Sequence, residues 1–213
     1  MIGKTAIGLA GKVDEMQIAM IGAGHIGATL GKKWAAAGHS VWFGLREPAD
    51  PRYAELQTTG KVVSVSEALA PAELVLLALP GGSVAEFARN HAAGLTGKIV
   101  VDATNNLRAE MMNGLSLLAE QVPGARLARA FSTLGWENFE NPTIGGEQVD
   151  LFFCGDATVR AQVEDLIRAM GLRPVYLGGV DQAGVLDNLT RVWFGLVTSL
   201  GRGRHVALKL LSE

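Results

Sequence analysis

Short apolar runs alternate along this chain with segments in which apolar residues recur every three or four positions. Continuous apolar runs are typical of strands buried on both faces of a parallel sheet, and the second pattern is typical of amphipathic helices. The first run covers Gln17–Ile21, and the residues after it place Ile26, Leu30 and Trp34 on one helical face. A second run follows at Ser40–Gly44. This order predicts two parallel strands joined by a helix.

Six more segments are predicted as strands because they are apolar and rich in β-branched or aromatic residues. They cover 61–65, 74–79, 98–103, 126–131, 150–155 and 173–178. Helical segments separate most of them, and Ser83 with Glu86 has the spacing of a capping box at the start of one helix. The stretch 132–142 lacks periodicity and is predicted as a loop. The alternation predicts an α/β fold with a doubly wound, mostly parallel sheet and a small C-terminal helical extension.

The C-terminal part of the chain has the longest helical pattern. Apolar residues recur at helical spacing from Val185 to Leu200, and Gly201 and Gly203 interrupt the pattern before a short second helix predicted over 205–211. We therefore expect three parts, namely a loose N-terminal extension over 1–15, the main α/β domain over 16–180 and a C-terminal helical segment over 181–213.

Composition and charge narrow the class of partner. The 213 residues carry a formal net charge of −2 and the basic residues are scattered, so neither nucleic acid nor an anionic membrane is expected as a partner. The first fifteen residues form too short and too glycine-rich a stretch to cross a membrane. The apolar stripe of the C-terminal helix is wide enough to cover a second subunit, and we expect a homodimer with Trp193 and Leu196 at its interface.

Cysteine and histidine usage argues against disulfide and metal chemistry. Cys154 is the only cysteine, so no disulfide can form within the chain, which suits a reducing cytoplasm. It lies inside an apolar run and is expected to be a buried thiol. Since no pair of Cys and His residues has ligand spacing, we expect no metal site.

The segment Gly22–Gly27, with the sequence GAGHIG, satisfies the pattern G-x-G-x-x-G between a predicted strand and a predicted helix. Gly22 would make the tight turn, Gly24 would let a pyrophosphate approach the backbone, and Gly27 would let helix and strand pack closely. Free N–H groups and the dipole at the N-terminus of the helix favour an anion there. In this context the pattern predicts a Rossmann-type dinucleotide-binding domain over 16–180.

The end of the second strand indicates which dinucleotide binds. A site that prefers NAD usually has Asp or Glu there for the ribose hydroxyls. Here the strand ends with FGLR at residues 43–46, without an acid, and Arg46 can pair with a 2′-phosphate and stack on adenine. We therefore predict NADP(H) as the cofactor, with Glu47 as a competing partner for Arg46.

Ligands bind beyond the carboxyl ends of the strands in open α/β sheets, and three predicted loops meet at that edge. The loop with Ala78, Leu79 and Pro80 should pass along the ribose and nicotinamide. The loop with Ala103, Thr104, Asn105 and Asn106 supplies polar groups at the depth of the nicotinamide. The loop with Ser132, Thr133 and Leu134 forms a wall of the acceptor pocket. No acid–base pair or nucleophile stands out, so no catalytic residue is assigned, which suits hydride transfer between two aligned rings.

Five segments in order resemble one family from residue 16 nearly to the C-terminus. They are 16–48, 75–84, 98–106, 128–142 and 183–197. The family is that of NADPH-dependent coenzyme F420 reductases, and the similarity extends to the cytosolic reductase domain of six-transmembrane metalloreductases. The resemblance implies a Rossmann domain whose small C-terminal part completes a second-cofactor site. It also implies hydride exchange between NADP(H) and a deazaflavin, or a flavin in the membrane relatives.

The resemblance assigns residues to the NADP(H) site. Ala23, His25 and Ile26 match the phosphate loop of the family. Arg46 matches the arginine that binds the 2′-phosphate, and Leu45 stands beside it where the family often has serine. The loss of that serine removes one hydrogen bond to the phosphate.

The resemblance places the electron acceptor between the third loop and the C-terminal segment, where Gly184 and Leu186 line the pocket. Ser132 stands in the wall between the two cofactors, where relatives often have histidine or asparagine. The implied acceptor is therefore a small redox molecule, either coenzyme F420 or a flavin.

Two other functions remain open on the residues alone. One is a reductase of imines or hydroxy acids, but those enzymes usually add a long helical domain and only residues 182–213 follow Asp181. The other is a non-catalytic NADP(H)-binding sensor or interaction module. Oxidation of NADPH by F420, FMN or ferric chelates would separate an enzyme from a sensor.

Overall fold

A computed structural model describes residues 14–213, so residues 1–13 of the predicted N-terminal extension lie outside the described part. The described residues form an eight-stranded sheet with the order β10-β9-β6-β5-β4-β1-β2-β3 and a separate hairpin, β7-β8. The strands are β1 (Gln17–Ile21), β2 (Ser40–Leu45), β3 (Lys61–Ser64), β4 (Leu74–Leu77), β5 (Ile99–Asp102), β6 (Arg126–Arg129), β7 (Thr143–Ile144), β8 (Glu147–Gln148), β9 (Asp150–Gly155) and β10 (Arg173–Tyr176).

The order of the strands confirms the predicted doubly wound sheet. The chain runs outward from β1 through β2 to β3 and then returns to β4 on the other side of β1. All neighbouring strands of the large sheet are parallel except β6 and β9, which pair antiparallel over two positions. The reversal of direction between β1 and β4 is the switch point beside which open α/β sheets bind ligands.

The alternation of side chains along each central strand builds two hydrophobic cores. Ile18 and Met20 of β1 belong to one cluster of buried residues, and Ala19 and Ile21 belong to the other. Successive side chains of a strand point to opposite faces, so every residue of such a strand must be apolar when both faces are covered. This requirement is why continuous apolar runs identified the strands.

Helices cover both faces of the sheet. They are α1 (His25–Ala36), α2 (Val65–Leu69), α3 (Val84–Leu95), α4 (Leu115–Gln121), α5 (Trp136–Glu140), α6 (Arg160–Ala169) and α7 (Ala183–Phe194). Leu30 and Trp34 of α1 are wholly buried, as the periodicity predicted. The indole N–H of Trp34 donates a 3.1 Å hydrogen bond to the carbonyl of Leu166, which joins α1 to α6.

Two local predictions are wrong. Ser83 makes no capping hydrogen bond, and the capping box is found instead at the start of α2, between Ser64 and Glu67. A three-residue 3-10 turn precedes α3, so Ser83 already has helical backbone angles and its side chain cannot take the capping geometry. The predicted loop 132–142 contains the short helix α5, which was too short to show periodicity.

The C-terminal segment differs most from its prediction. Helix α7 ends at Phe194, a π-helical turn follows over Gly195–Ser199, and no helix forms over 205–211. The tail, residues 200–213, lies along the main domain. The amide of Leu210 donates to Asp150 Oδ2 at 2.8 Å, and Trp193 Nε1 donates to the carbonyl of Val206 at 2.9 Å. These bonds compete with helix formation, since they use backbone groups that a helix would need.

The burial of Trp193 corrects one element of the expected dimer interface. Its side chain packs within its own chain, and the residue is only 2% exposed. It therefore cannot provide a contact surface for a second subunit.

Among residues 14–213, no helix has the length and apolar character needed to span a membrane.

Candidate functional site

The glycine-rich loop has the geometry of a phosphate-binding turn. Gly22 has a φ of +100°, and a Cβ atom there would lie 2.5 Å from the carbonyl oxygen of Ala78. A Cβ atom on Gly27 would collide with the carbonyl oxygen of Gly22. By contrast, a Cβ atom on Gly24 would meet no atom within 4 Å. The first and third glycines are thus required by the protein's own backbone, whereas the space beside Gly24 is open.

The N-terminus of α1 is suited to an anion. The helix begins at His25, its cap residue Gly24 makes no side-chain hydrogen bond, and its first turn has no acidic residue. N–H groups and the dipole at such a helix end attract phosphate. His25 is exposed, and its ring is stacked on Trp136 with centroids 5.0 Å apart. Ala23 and Ile26 are half-buried beside it.

A cavity of about 500 Å³ opens next to the glycine-rich loop. Gly22, Ala23 and Leu45, which ends β2, are among the residues that line it. The apolar residues Leu79 and Phe87 also line it. Such a cavity, which lies where β1 and β2 end, fits the adenosine half of a dinucleotide.

Two arginines reach this cavity, although the sequence indicated only one. Arg46, the arginine predicted to bind a 2′-phosphate, lines it, and Arg52 lines it from the 3-10 helix Pro51–Thr58. The guanidinium of Arg52 lies 4.7 Å from the ring centroid of Tyr53, and its Nε lies 3.1 Å from Asp50 Oδ2. These contacts hold a second cation at the end of β2. The turn after β2, residues 46–51 with the sequence REPADP, contains no motif that would have identified Arg52 directly after it.

The loops after β4 and β5 are in close contact. A Cβ atom on Gly81 would collide with the backbone nitrogen of Asn106, so only glycine permits this approach. Asn105 is anchored at both ends of its amide, because its Nδ2 donates to the carbonyl of Ser132 at 3.0 Å and its Oδ1 accepts from Arg129 at 2.8 Å. The structure therefore brings the three predicted loops together. Both polar groups of the Asn105 side chain are hydrogen-bonded to other residues of the protein.

The residues predicted for the acceptor pocket are mostly buried. Ser132, Thr133, Leu134 and Leu186 are at most 5% exposed, whereas Asn106 and Gly184 are half-buried. The remaining residues of the predicted cofactor contacts, Ala78, Leu79, Pro80, Ala103 and Thr104, range from buried to exposed at the same edge. The hydroxyl groups of Thr104, Ser132 and Thr133 have no hydrogen-bond partner among the described residues. Buried hydroxyl groups of this kind usually bond to water or to a ligand.

Backbone strain accompanies these unpartnered hydroxyl groups. Phe131 has a φ of +62°, which is the left-handed region and is unfavourable for a bulky side chain. Its ring is held by edge-to-face contacts with Trp34 and Phe139, at centroid distances of 5.4 and 5.9 Å. The predicted strand 126–131 therefore stops at Arg129, and the chain turns to present Ser132 at the sheet edge.

The titratable groups near the site offer little acid–base chemistry. His91 lines the cavity, and burial lowers the pKa of its imidazole. Cys154 is buried, as predicted, and burial raises the pKa of its thiol to about 11. Among residues 14–213, no group of three or more metal-ligating side chains is assembled.

A comparison with known protein families shows which proteins this chain is similar to. Residues 17–106 match the family described as NADP oxidoreductase, coenzyme F420-dependent. These residues contain the glycine-rich loop, Arg46 and Arg52, and the loops after β4 and β5. This part of the chain is therefore similar to the F420-dependent NADP oxidoreductases.

Solved structures of similar proteins extend the comparison to 92–93% of the chain. A proposed F420-dependent NADP reductase from Arthrobacter sp. FB24 is 25% identical, has a TM-score of 0.82, and is matched over 92% of this chain and 100% of its own. The hypothetical protein SMa0349 from Sinorhizobium meliloti is 29% identical, with a TM-score of 0.68 and coverage of 93% and 96%. The imine reductase BcSIRED from Bacillus cereus is 21% identical with a TM-score of 0.67, which shows a common fold.

Curated relatives include larger oxidoreductases. Glycerol-3-phosphate dehydrogenase [NAD(P)+] from Pseudomonas entomophila is 24% identical over 94% of this chain and 63% of its own length. Metalloreductase STEAP3 from Rattus norvegicus is 27% identical over 80% of this chain and 35% of its own length. The chain thus spans about 63% of the length of the glycerol-3-phosphate dehydrogenases that it matches.

Proposed function

We propose that this protein is an NADP(H)-dependent oxidoreductase that transfers hydride between NADPH and a deazaflavin or flavin acceptor. The observation that carries the proposal is the cavity beside the glycine-rich loop, which holds both Arg46 and Arg52. Two guanidinium groups at the end of β2 suit a 2′-phosphate, and Arg binds phosphate well because its fork makes paired hydrogen bonds. The family match over 17–106 supports the same cofactor.

The residues present fit this dinucleotide. Gly24 leaves open space beside the backbone, and the first turn of α1 offers no negative charge that would repel phosphate. Tyr53 and Leu79 can cover the faces of an adenine ring within the same cavity. Bound NADPH supplies a hydride, which is two electrons and one proton, and is left with a positively charged nicotinamide ring.

The protein's own part in the reaction is to orient the cofactor and exclude water. The Asn105 amide fixes the loop after β5 against the loop that carries Ser132. The unpartnered hydroxyl groups of Thr104, Ser132 and Thr133 are available to bond the polar edge of a ligand at this place. Hydride transfer depends mainly on such alignment and not on an acid or base in the protein.

A binding experiment followed by a turnover experiment tests the proposal. Calorimetric titration should show that NADPH binds at least tenfold more tightly than NADH, which corresponds to about 1.4 kcal/mol. Stopped-flow mixing of the NADPH complex with F420, FMN or a ferric chelate should then show loss of NADPH absorbance with one of them.

The two steps separate the alternatives. Equal affinity for NADPH and NADH would contradict the NADP(H) assignment. Tight NADPH binding without oxidation by any acceptor would favour a non-catalytic sensor. Oxidation by an imine or an oxo acid alone would favour a reductase of imines or hydroxy acids over a flavin or deazaflavin acceptor.

A further inference from the structure

Three charged residues are buried together near the carboxyl edge of the sheet. Arg129 and Asp102 are wholly buried, and Asp187 is 1% exposed. Arg129 Nη2 lies 2.8 Å from Asp187 Oδ1, and its Nη1 lies 3.4 Å from Asp102 Oδ2. We call Asp102, Arg129 and Asp187 the buried ion cluster. It joins the ends of β5 and β6 to the first half of α7.

The cluster holds the loop that follows β5. Arg129 Nη1 donates to the carbonyl of Thr104 at 2.8 Å, and Nη2 donates to Asn105 Oδ1 at the same distance. Asp102 Oδ1 accepts from the amide of Thr104 at 2.9 Å. This loop lies at the edge of the sheet where the ligand binds in this class of fold.

The cluster carries a net charge of −1, because one guanidinium faces two carboxylates. The other groups that the carboxylates accept from are neutral, namely the amides of Thr104, Met112, Asn113 and Gly114 and the side chain of Asn113. Among the described residues, Arg129 is the only cation paired with Asp102 or Asp187. The excess negative charge is therefore spread over neutral donors and not cancelled.

Burial of three charged groups is unfavourable for folding compared with apolar packing. Desolvation of each group costs several kcal/mol, and replacement of such clusters by apolar residues is often neutral or stabilising. Stability alone therefore does not account for an arginine with no exposed atoms between two aspartates. A role in the site beside it does account for that arrangement.

We propose that the buried ion cluster favours the oxidised, positively charged cofactor over the reduced cofactor, and so makes bound NADPH a better hydride donor. The inference rests on the proposed function, since it requires the dinucleotide to bind at this edge. A fixed negative charge in a site shielded from water stabilises a positive charge that develops nearby. The polar partners of Asp187 among the described residues are all protein groups, so we assign it as a positioning residue that acts through its charge.

The test compares the affinities for NADP⁺ and NADPH in Asp187→Asn and Asp187→Glu, measured by calorimetric titration. Asp187→Asn removes one charge and keeps the shape, so the Kd for NADP⁺ should rise relative to the Kd for NADPH by on the order of tenfold. Asp187→Glu keeps the charge and disturbs the fit, so it should leave this ratio within about twofold of the wild-type value. A purely structural role would weaken both affinities together in Asp187→Asn, and an unchanged ratio there would overturn the inference.

Two further measurements keep the test decisive. If Asp187→Asn does not fold, Asp102→Asn makes the same change in charge and should shift the ratio in the same direction. If neither folds, the wild-type protein decides, since the inference requires NADP⁺ to bind at least as tightly as NADPH, and tenfold tighter NADPH binding contradicts it. Wild-type protein that binds neither nucleotide would reject the proposed function itself, together with this inference.

Discussion

At the scale of single residues, the proposed cofactor site depends on charged side chains and on glycines that leave space beside the backbone. Arg46 and Arg52 line the cavity and supply positive charge, while Gly22 and Gly27 are needed for backbone packing. Gly24 has a different role, because a Cβ atom at this position would have no protein atom within 4 Å. These residues therefore predict separate effects on nucleotide preference, on stability and on phosphate binding.

Arg52→Ala should weaken NADPH binding about tenfold or more and leave NADH binding unchanged, because a charge-assisted hydrogen bond to the 2′-phosphate contributes about 1.5–3 kcal/mol. Arg160→Ala is a matched control, since Arg160 lies 4.5 Å from the ring centroid of Tyr176 and pairs with Glu164 at 2.6 Å. It lies on α6, outside the residues that line the cavity. Titration with adenosine 2′,5′-bisphosphate measures the effect on the adenosine half alone. Equal losses for NADPH and NADH in Arg52→Ala would contradict the assignment of Arg52.

Gly24→Ala and Gly27→Ala should separate binding from folding. Gly24→Ala has room in the protein and should leave the melting temperature nearly unchanged while weakening NADPH at least tenfold, which is about 1.4 kcal/mol. Gly27→Ala forces its Cβ toward the carbonyl of Gly22 and should lower the free energy of unfolding by about 1–3 kcal/mol. Thermal melts without nucleotide and titrations with NADPH measure the two effects. Full NADPH affinity in Gly24→Ala would argue against a pyrophosphate at this loop.

At the scale of elements, hydrogen bonds connect α7 to the tail that follows it. The inner face of α7 carries Asp187 into the buried ion cluster, and Trp193 of the same face bonds to the tail at Val206. The tail is bonded in turn to β9 through Asp150. The orientation of α7 against the sheet edge therefore depends on residues far along the chain from the glycine-rich loop.

Trp193→Phe should lower the free energy of unfolding by about 1–3 kcal/mol, because the carbonyl of Val206 loses its partner and the smaller ring leaves a gap. Trp42→Phe is the matched control. Its indole N–H donates at 3.0 Å to the side chain of Gln17, which can turn to water when the partner is lost. Chemical denaturation of both variants gives the comparison. A larger loss in Trp42→Phe than in Trp193→Phe would mean that the tail contributes little to the stability of α7.

At the scale of the whole molecule, one sheet joins the cavity beside the glycine-rich loop to the edge at which an acceptor is proposed to bind. The cavity lies where β1 and β2 end, and the buried ion cluster lies where β5 and β6 end. The outer face of α7 adds an apolar surface on which Val185 and Val192 are 49% and 50% exposed. Leu189 and Leu196 continue the same helical stripe and are half-buried.

A homodimer through this stripe stays a prediction, with Val185 and Val192 in place of the buried Trp193. Exposed apolar side chains in one row often mark a contact surface between subunits. Sedimentation velocity at micromolar concentration should show a dimer for the wild-type chain and a monomer for Val185→Glu with Val192→Glu. A wild-type monomer at that concentration would reject the homodimer, and a dimer in the double variant would place the interface elsewhere.

The local pattern of apolar and polar residues predicted much of the fold. It predicted less of the candidate site. β1, β2 and the face of α1 were predicted because burial on both sides of a sheet demands unbroken apolar runs, and a covering helix demands one apolar face. Arg129 was missed because it alternates with alanines inside an apolar segment, where it has no motif of its own. Arg52 was missed because its contact with the cavity depends on how the turn after β2 folds back.

The sequence by itself determined the eight strands of the large sheet, the glycine-rich loop and the position of Arg46, since each depends on residues close together along the chain. Only the tertiary structure decided that Arg52 shares the cavity with Arg46, that 205–211 is not helical and that Asp187 meets Arg129. Asp187 and Arg129 are more than fifty positions apart, and the contact of Arg52 with the cavity depends on how the turn after β2 folds back, so no local propensity encodes these features. They arise when backbone and charged groups find partners across the packed fold.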